Sequence, residues 1–305
     1  MKTTLANRLT PYMFLAPAAA VLIVALLYPL GYVVYASFLD WNPSQRIGQA
    51  EFIGLRNYYN LFSDESFRES FFVTIKFSTI VVTLEMLFGV GLAFLLDRNI
   101  RGMSVLRTLF ILPMMISPIV VGLMWRYMYH PTVGIFNRTL KAIGLDPIPW
   151  LSDGTWAFTS IIIADVWQWV PFIFILSLAA LQTLPQSVME AARIDGASGW
   201  QSILYVKLPL MMPVLVITFL LRLIDSFKVL EVILVLTNGG PGLSTEVLAL
   251  RISRTATEFR ELGVAAAMSN ILLFMLLLLT LAMFFYNKLT AIRAFRLKNI
   301  AVEEV

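Results

Sequence analysis

The sequence contains no cysteine and a single histidine, and only 14% of its residues carry a charge. Without cysteine there is no disulfide, no thiolate nucleophile and no zinc–thiolate site. The histidine, His130, lies beside Pro131 at the end of an apolar segment, where an isolated histidine is usually structural. No serine, histidine and aspartate are spaced as a catalytic set, so we expect no catalytic residue and no metal site in this chain.

The chain also lacks the pattern G-x-x-x-x-G-K-[ST], whose backbone N–H groups bind nucleotide phosphates. No loop between its apolar segments is long enough to hold a nucleotide-binding domain, and no internal repeat is present. If ATP drives a process in which this chain takes part, another protein must bind the nucleotide.

Hydrophobic residues make up 59% of the 305 residues, and the mean hydropathy is +0.79. Soluble domains have about 45–50% apolar and about 25% charged residues, so a chain of this composition is expected in a membrane. The net charge of +4 and the isoelectric point of 9.3 favour an excess of lysine and arginine on cytoplasmic loops over binding to nucleic acid.

Six apolar segments are long enough to cross the hydrocarbon core, which takes about 20 residues of helix. They are Met13–Leu39, Ser70–Leu96, Thr108–Tyr129, Trp156–Leu181, Pro209–Leu236 and Leu262–Asn287. The predicted fold class is therefore all-α, a polytopic membrane protein with six transmembrane helices in a single domain over residues 1–305. The first segment is too long for the apolar core of a signal peptide, about 7–15 residues, and is predicted to remain as a span.

Basic residues favour one orientation of these spans. One side of the membrane carries eleven of them and the other side eight, spread over longer loops. The eleven are Lys2, Arg8, Arg98, Arg101, Arg107, Arg193, Lys207, Lys288, Arg293, Arg296 and Lys298. Because lysine and arginine accumulate on cytoplasmic loops, both termini and the loop at residues 183–208 are predicted to face the cytoplasm.

The stretch Leu184–Pro213 interrupts the apolar pattern and reads as two short helices joined by a tight turn. Pro185 suits a helix start, and Gly196 suits the left-handed residue that ends a helix. Ser198, followed three residues later by Gln201, fits the capping box that begins the next helix. The stretch is therefore predicted to be a docking element. The alternative, an interfacial helix that binds lipid headgroups, is disfavoured because the stretch has few basic residues.

The fifth segment contains Arg222, Asp225, Lys228 and Glu231, spaced three residues apart. Charge inside a bilayer costs about 2.5–3.5 kcal/mol per residue on insertion scales, so it usually faces protein or water. Neighbours of alternating sign can pair at this spacing. Two interpretations remain open: Asp225 and Lys228 border a polar path for a substrate, or the four residues form a paired network that only holds helices together.

The fourth segment places Asp165 and Gln168 among Trp167, Trp169 and Phe172. Hydrogen-bonding groups beside aromatic faces suit a sugar, and an aromatic belt at the outer membrane edge is the alternative. The candidate residues of the substrate path are Asp165, Gln168, Asp225 and Lys228.

Two other features of the spans receive no functional role. Lys76 and Glu85 lie nine residues apart, on opposite faces of the second span. The proline- and methionine-rich segment Leu112–Pro118 predicts a kinked packing surface in the third span.

This chain resembles a known family in its cytoplasmic loop. The residues Glu190-Ala191-Ala192, Asp195-Gly196-Ala197 and Leu208-Pro209 resemble the EAA motif, which occurs in permease subunits of binding-protein-dependent ABC importers. Further segments are similar to the carbohydrate-uptake branch of that family, in the same order, over about residues 11–286. They are Phe52–Tyr58, Leu106–Phe110 with Leu112-Pro113 and Ser117-Pro118, and Asn238–Gly242 with Ser244-Thr245. The chain departs from the pattern at Ile203, where an aromatic is common, and at Val206, where Ile is frequent.

This resemblance implies a type I ABC importer permease fold and carbohydrate uptake across the bacterial cytoplasmic (inner) membrane. The implied partners are a second permease subunit, two copies of an ATP-binding subunit that holds ATP and Mg²⁺, a periplasmic or surface-anchored substrate-binding protein, membrane lipid and the carbohydrate. The residues implied in coupling to the ATPase are Glu190, Ala191, Ala192, Asp195, Gly196, Leu208 and Pro209. A receptor-side loop is implied at Asn238, Gly239, Gly240 and Pro241.

Two other classes of function compete with this interpretation. Six spans with a charged stripe would also suit a self-contained secondary transporter or channel, although the inverted repeats typical of such proteins are not found in the sequence. A membrane enzyme acting on lipid or glycan would need a catalytic set at one face, and the sequence offers none.

Overall fold

A computed structural model of the chain describes residues 5–97 and 102–303, with side chains described between residues 12 and 285 apart from residue 103. Lys2, Arg98 and Arg101, on which part of the predicted orientation rests, lie outside the described residues. The described backbone is helical apart from loops and one short antiparallel pair of strands, which confirms the all-α class.

The helices are α1 (Leu5–Ala36), α2 (Arg56–Ser63), α3 (Glu65–Leu96), α4 (Met103–Ile111), α5 (Pro118–Met128), α6 (Ile135–Ala142), α7 (Gly154–Gln182), α8 (Gln186–Ile194), α9 (Gly199–Gln201), α10 (Leu208–Ser226), α11 (Glu231–Leu236), α12 (Leu248–Thr257) and α13 (Leu262–Glu303). Strand β1 (Leu39–Asp40) pairs with β2 (Glu51–Phe52). Five stretches of helix are apolar and long enough to cross a membrane: Tyr12–Ala36, Glu65–Leu96, Gly154–Gln182, Gly199–Ser226 and Leu262–Phe285.

The predicted third span is a bent pair of helices, so the described residues contain six spans when this pair is taken as one. The pieces Ser104–Met115 and Pro118–Met128 meet at an angle of 97°. Ser117 is extended, with ψ of 137°, because the residue before a proline avoids the helical region. The kink predicted at Leu112–Pro118 is present, and it is sharp enough to interrupt the helix.

The predicted fifth span, Pro209–Leu236, is not one helix. α10 ends at Ser226, and the chain resumes as α11 only at Glu231, after Leu230 has left the helical region with φ of −135°. At the end of α10 the Ser226 hydroxyl donates to the Leu223 carbonyl at 2.8 Å. The prediction that four charged residues follow one continuous helix is therefore wrong beyond Asp225.

Contacts group the chain into two compact units, Met1–Asp64 with Ile252–Val305, and Glu65–Arg251. In the first unit, the β1–β2 pair is tied to its neighbours by Asn57, whose side-chain amide donates to the carbonyls of Ser37 and Leu39 at 2.9 and 3.0 Å. Gly263 fits against the same strand, because a Cβ there would overlap the Leu39 carbonyl oxygen.

In the second unit, α3 and α7 pack against each other along faces that are mostly apolar but also bury polar side chains. Gly89 allows this close approach, since a Cβ at this position would lie 2.7 Å from the Ile173 side chain. The buried core around the contact is formed by side chains of α3, α5, α7 and α11, including Phe77, Trp125 and Ile161. The close packing places the polar residues of α3 and α7 within reach of α10.

Candidate functional site

The turn between α8 and α9 has the geometry that its sequence predicts. Gly196 is left-handed, with φ of +77°. Its N–H donates to the Arg193 carbonyl at 3.1 Å, and the N–H of Ala197 donates to the Ala192 carbonyl at 3.0 Å. These two bonds form a Schellman motif, in which a left-handed residue satisfies the last carbonyls of a helix. Pro185 lies at the N-cap of α8, one residue before the predicted position.

The second helix begins with the predicted capping box and then continues further than predicted. Ser198 and Gln201 each accept from the backbone N–H of the other, at 3.3 and 2.8 Å. After Gln201 the chain passes through a π-helical turn, Ser202–Lys207, directly into α10. Gly199–Ser226 is consequently one uninterrupted helical element of 28 residues. Arg222 and Asp225 therefore lie on the same helical element that begins three residues after Gly196.

Large apolar side chains on and after the α8–α9 turn are exposed in the part of the chain that the structure describes. Ile194, Trp200 and Tyr205 are 86%, 68% and 76% exposed. Trp200 is thus not packed against other described residues of the chain, although its side chain is apolar. An exposed apolar patch between polar residues is typical of a surface that binds another protein or a membrane.

The predicted coupling residues surround this patch. Glu190, Ala191, Asp195, Gly196 and Pro209 are exposed, whereas Ala192 and Leu208 are half-buried. Five of the seven predicted residues are thus accessible, and the described residues offer no ion pair that would hold Glu190 or Arg193 within the chain.

A buried ion network lies between α3, α7 and α10. Arg222 donates through Nε and Nη2 to the two carboxylate oxygens of Glu85, at 2.7 and 2.9 Å. Its Nη2 also donates to Asp165, and its Nη1 donates to Asp225 at 3.0 Å. The guanidinium carbon lies 5.0 Å from the centre of the Trp169 ring. One cation thereby joins three helices, with bidentate geometry toward Glu85.

One end of the network is buried and the other end is accessible to solvent. Arg222, Glu85 and Asp165 have side chains that are at most 1% exposed, whereas the Asp225 side chain is 48% exposed. Gln168, also buried, donates through Nε2 to the Ile116 carbonyl at 3.0 Å, a group left free by the break between α4 and α5. Asp165 and Gln168 are each held through one side-chain atom, whereas Asp165 Oδ1 and Gln168 Oε1 have no hydrogen-bond partner among the described residues. Both side chains are buried, so neither faces an open path in this structure.

The exposed end of the network contains the other two candidates for the path. Asp225, at the last turn of α10, and Lys228, just beyond it, are both accessible. Glu231, which starts α11, is also exposed. The predicted pairing of Arg222 with Asp225 is present, whereas no ion pair joins Asp225 to Lys228 within the described part of the chain.

Glu85 belongs to this network, although the sequence analysis assigned it no functional role. It is fully buried, and it lies 137 positions before the arginine that it binds. The signal was available in the apolar spans, because an arginine within one span often pairs with a carboxylate of another. Lys76 has a separate contact, with its ammonium 4.6 Å from the centre of the Phe158 ring.

The loop predicted to face a receptor is closed by its own hydrogen bonds. Asn238 and Gly239 are left-handed, with φ of 50° and 81°. The N–H of Thr245 donates to the Gly239 carbonyl at 3.2 Å, and its hydroxyl donates to the Gly240 carbonyl at 2.9 Å. Pro241 and Asn238 remain exposed on this ordered loop.

Comparison with known families identifies the kind of protein to which these features belong. The model of the family described as "Binding-protein-dependent transport system inner membrane component" matches residues 85–291. The chain is 37% identical to the trehalose/maltose transport system permease protein MalF of Thermococcus litoralis, over 88% of this chain and 89% of that protein. It is 32% identical to the sn-glycerol-3-phosphate transport system permease protein UgpA of Shigella flexneri, over 92% and 94% of the two chains.

A solved structure shows the same fold. A chain of a bacterial alginate ABC transporter, solved in complex with an alginate pentasaccharide-bound periplasmic protein, superposes with a TM-score of 0.80. The match covers 92% of this chain and 96% of that one, at 22% sequence identity. At this identity the likeness establishes the arrangement of helices and nothing about the substrate.

Proposed function

This chain belongs to the family of binding-protein-dependent transport system inner membrane components, and we propose that it forms, with a second permease subunit, the translocation path of an ATP-driven carbohydrate importer. The match of the family model to residues 85–291 carries this proposal. Relatives whose printed names refer to trehalose/maltose, starch degradation products and sulfoquinovosyl glycerol support a sugar or a sugar derivative as the substrate.

In this proposal, the ATPase acts on the permease through the exposed surface of the α8–α9 turn. Two copies of a separate cytoplasmic subunit bind ATP and Mg²⁺, and the apolar side chains of Ile194 and Trp200 insert into one of them. The continuous helix from Gly199 to Ser226 then carries the displacement into the membrane. This arrangement places both termini in the cytoplasm and the Asn238–Pro241 loop outside, where a periplasmic or surface-anchored binding protein delivers the substrate.

The test uses the complete complex, with both permeases, the ATPase and the binding protein reconstituted in proteoliposomes. We expect carbohydrate uptake that requires hydrolysable ATP, and ATPase activity that rises when the loaded binding protein is added. A screen of the binding protein against a carbohydrate panel supplies the substrate. Uptake that proceeds without ATP and stops when ion gradients are dissipated would instead support the secondary transporter.

Substitutions at Asp225 and Lys228 test whether these residues border the substrate path. Since their side chains are accessible, Asp225→Asn and Lys228→Met are expected to leave the amount of assembled complex unchanged. We expect each to weaken the apparent affinity for the transported carbohydrate by about three- to tenfold, the effect of one hydrogen bond. Uptake is measured at varied substrate concentration, with Lys141→Met on exposed α6 as the control. Unchanged uptake and substrate range in both variants would remove these residues from the path.

A further inference from the structure

The unit formed by Met1–Asp64 and Ile252–Val305 contains a pocket with a volume of about 700 Å³, lined by both polar and apolar residues. Its wall combines the loop after α1, residues along the length of α2 and the segment that leads into α13. The volume lies within the range of about 300–1,000 Å³ that is typical of small-molecule sites. None of the residues assigned above to coupling, to the ion network or to the receptor-side loop lines this pocket.

The floor of the pocket is fixed by hydrogen bonds within the chain. Asn57 holds the carbonyl of Leu39, and the N–H of Gly263 donates to the carbonyl of Trp41 at 3.1 Å. The Trp41 indole is itself oriented by a bond from Nε1 to the Gln45 carbonyl at 3.1 Å. The pocket is therefore formed before any ligand arrives, which lowers the entropic cost of binding.

Arg260, on the wall of the pocket, has a backbone conformation that suits glycine better. Its φ is +60°, and the N–H of Glu261 donates back to the Thr255 carbonyl at 2.9 Å. A left-handed position of this kind after a helix usually holds glycine, because a Cβ is strained there. An arginine at such a position is an observed local strain, and strain of this type is concentrated at functional sites.

Arg56, which α2 contributes to the wall, is also placed against the local preference. It is the first residue of α2, at the positive end of the helix dipole, where a cation is disfavoured. Neither Arg56 nor Arg260 has an ion pair or a side-chain hydrogen bond with any described residue. Both guanidinium groups are thus available to a ligand.

The chemistry of the remaining wall selects the class of that ligand. Asp40 and Glu261 supply acceptors, Asn42 and Asn60 supply both donors and acceptors, and Phe259 supplies an exposed aromatic surface. A sugar hydroxyl both donates and accepts, and the C–H face of a sugar ring packs on an aromatic side chain. An anionic ligand would meet the carboxylates of the same wall, so a neutral ligand fits better.

We propose that this pocket is a binding subsite for a neutral saccharide, on the external side of the importer. The proposal rests on the proposed function for the location of the pocket outside the membrane and for the class of transported substrate. Arg56 and Arg260 donate to saccharide hydroxyls, Asp40 and Asn60 accept from them, and the rings of Trp41 and Phe259 contact the C–H faces.

The test measures binding to the complex of this chain, its partner permease and the ATPase, without the binding protein. Tritiated maltose, tritiated trehalose and any neutral saccharide that the binding protein retains are the probes, in equilibrium dialysis. We expect saturable binding, weakened at least about tenfold in Arg260→Gly, since a charge-assisted hydrogen bond is lost. The thermal midpoint of this variant should be equal or higher, because glycine relieves the strain at φ of +60°.

Two further measurements keep the outcome decisive. Asn60→Ala should weaken binding as well, while Arg46→Ala, on an exposed arginine of the same loop that lies outside the pocket, should leave it unchanged. The inference is overturned if the complex binds none of the probes, or if Arg260→Gly binds them as tightly as wild type. It is also overturned if Arg260→Gly binds the saccharides normally but its ATPase activity no longer rises when the binding protein is added. That result would show that the pocket contacts the binding protein instead of a saccharide. Carbohydrate uptake is also measured after the same complex is reconstituted with the binding protein. Uptake in that assay shows that the proposed function holds even if the pocket binds no saccharide.

Discussion

Arg222→Met is expected to destabilise the folded subunit by about 3–5 kcal/mol, the cost of removing one partner from a buried ion pair. The substitution leaves the carboxylates of Glu85 and Asp165 without their cation, in a space where neither has access to water. Methionine fills much of the same volume, so the loss comes from the orphaned charges and not from a cavity. The measurements are the amount of assembled complex in the membrane and its thermal midpoint in detergent.

A matched control and a rescue test this explanation. Arg126→Met removes an exposed arginine from α5 whose Nη1 donates to the Val235 carbonyl at 3.1 Å, and it should cost about 1 kcal/mol or less. Glu85→Leu and Asp165→Leu, added to Arg222→Met, should restore most of the stability, because a buried ionic group can often be replaced by apolar residues. An Arg222→Met complex as stable as wild type would contradict the assigned role of the network.

The rescued variant also shows whether the ion network only holds helices together or takes part in transport. If the network only holds α3, α7 and α10 together, the triple variant assembles and transports. If the guanidinium and carboxylates must exchange partners as α10 moves, the triple variant assembles but does not transport. The half-exposed Asp225, which is unchanged in this variant, then lies beside an apolar group instead of Arg222.

The features that the sequence predicts well are those that depend on neighbouring residues. The left-handed turn at Gly196 and the capping box of Ser198 and Gln201 each involve residues within five positions. Local chemistry also predicts the break before Pro118, because proline restricts the residue that precedes it. At each of these places the conformation follows from the residue types alone, without knowledge of the remaining fold.

The features that the sequence does not predict depend on distant contacts. Glu85 receives its role only when the packing of α3 brings it to Arg222, 137 positions away. No proline or glycine marks the end of α10 at Ser226. A prediction from hydrophobicity alone therefore extends the span to Leu236. The pocket beside Arg260 combines loops more than 190 residues apart in sequence, and hydropathy contains no information about such a juxtaposition.

Gly196→Pro is expected to abolish transport while the subunit still inserts and assembles. Proline fixes φ near −65° and has no N–H, whereas Gly196 has φ of +77° and donates to the Arg193 carbonyl. The Schellman motif cannot form, so α8 no longer turns back onto α9. The turn lies outside the apolar part of the spans, so insertion does not depend on it. Uptake and receptor-stimulated ATPase activity should both fall to background.

Gly199→Pro is the matched control, because the same substitution three residues later meets no local conflict. Gly199 is the first residue of α9, a position that proline favours. The preceding Ser198 is already extended, with ψ of 162°, as a residue before proline must be. Gly196→Asn should retain most of the activity, since asparagine tolerates the left-handed region and no atom lies within 4 Å of a Cβ at this position. Wild-type uptake in Gly196→Pro, or equal loss in Gly199→Pro, would show that transport does not depend on the geometry of this turn.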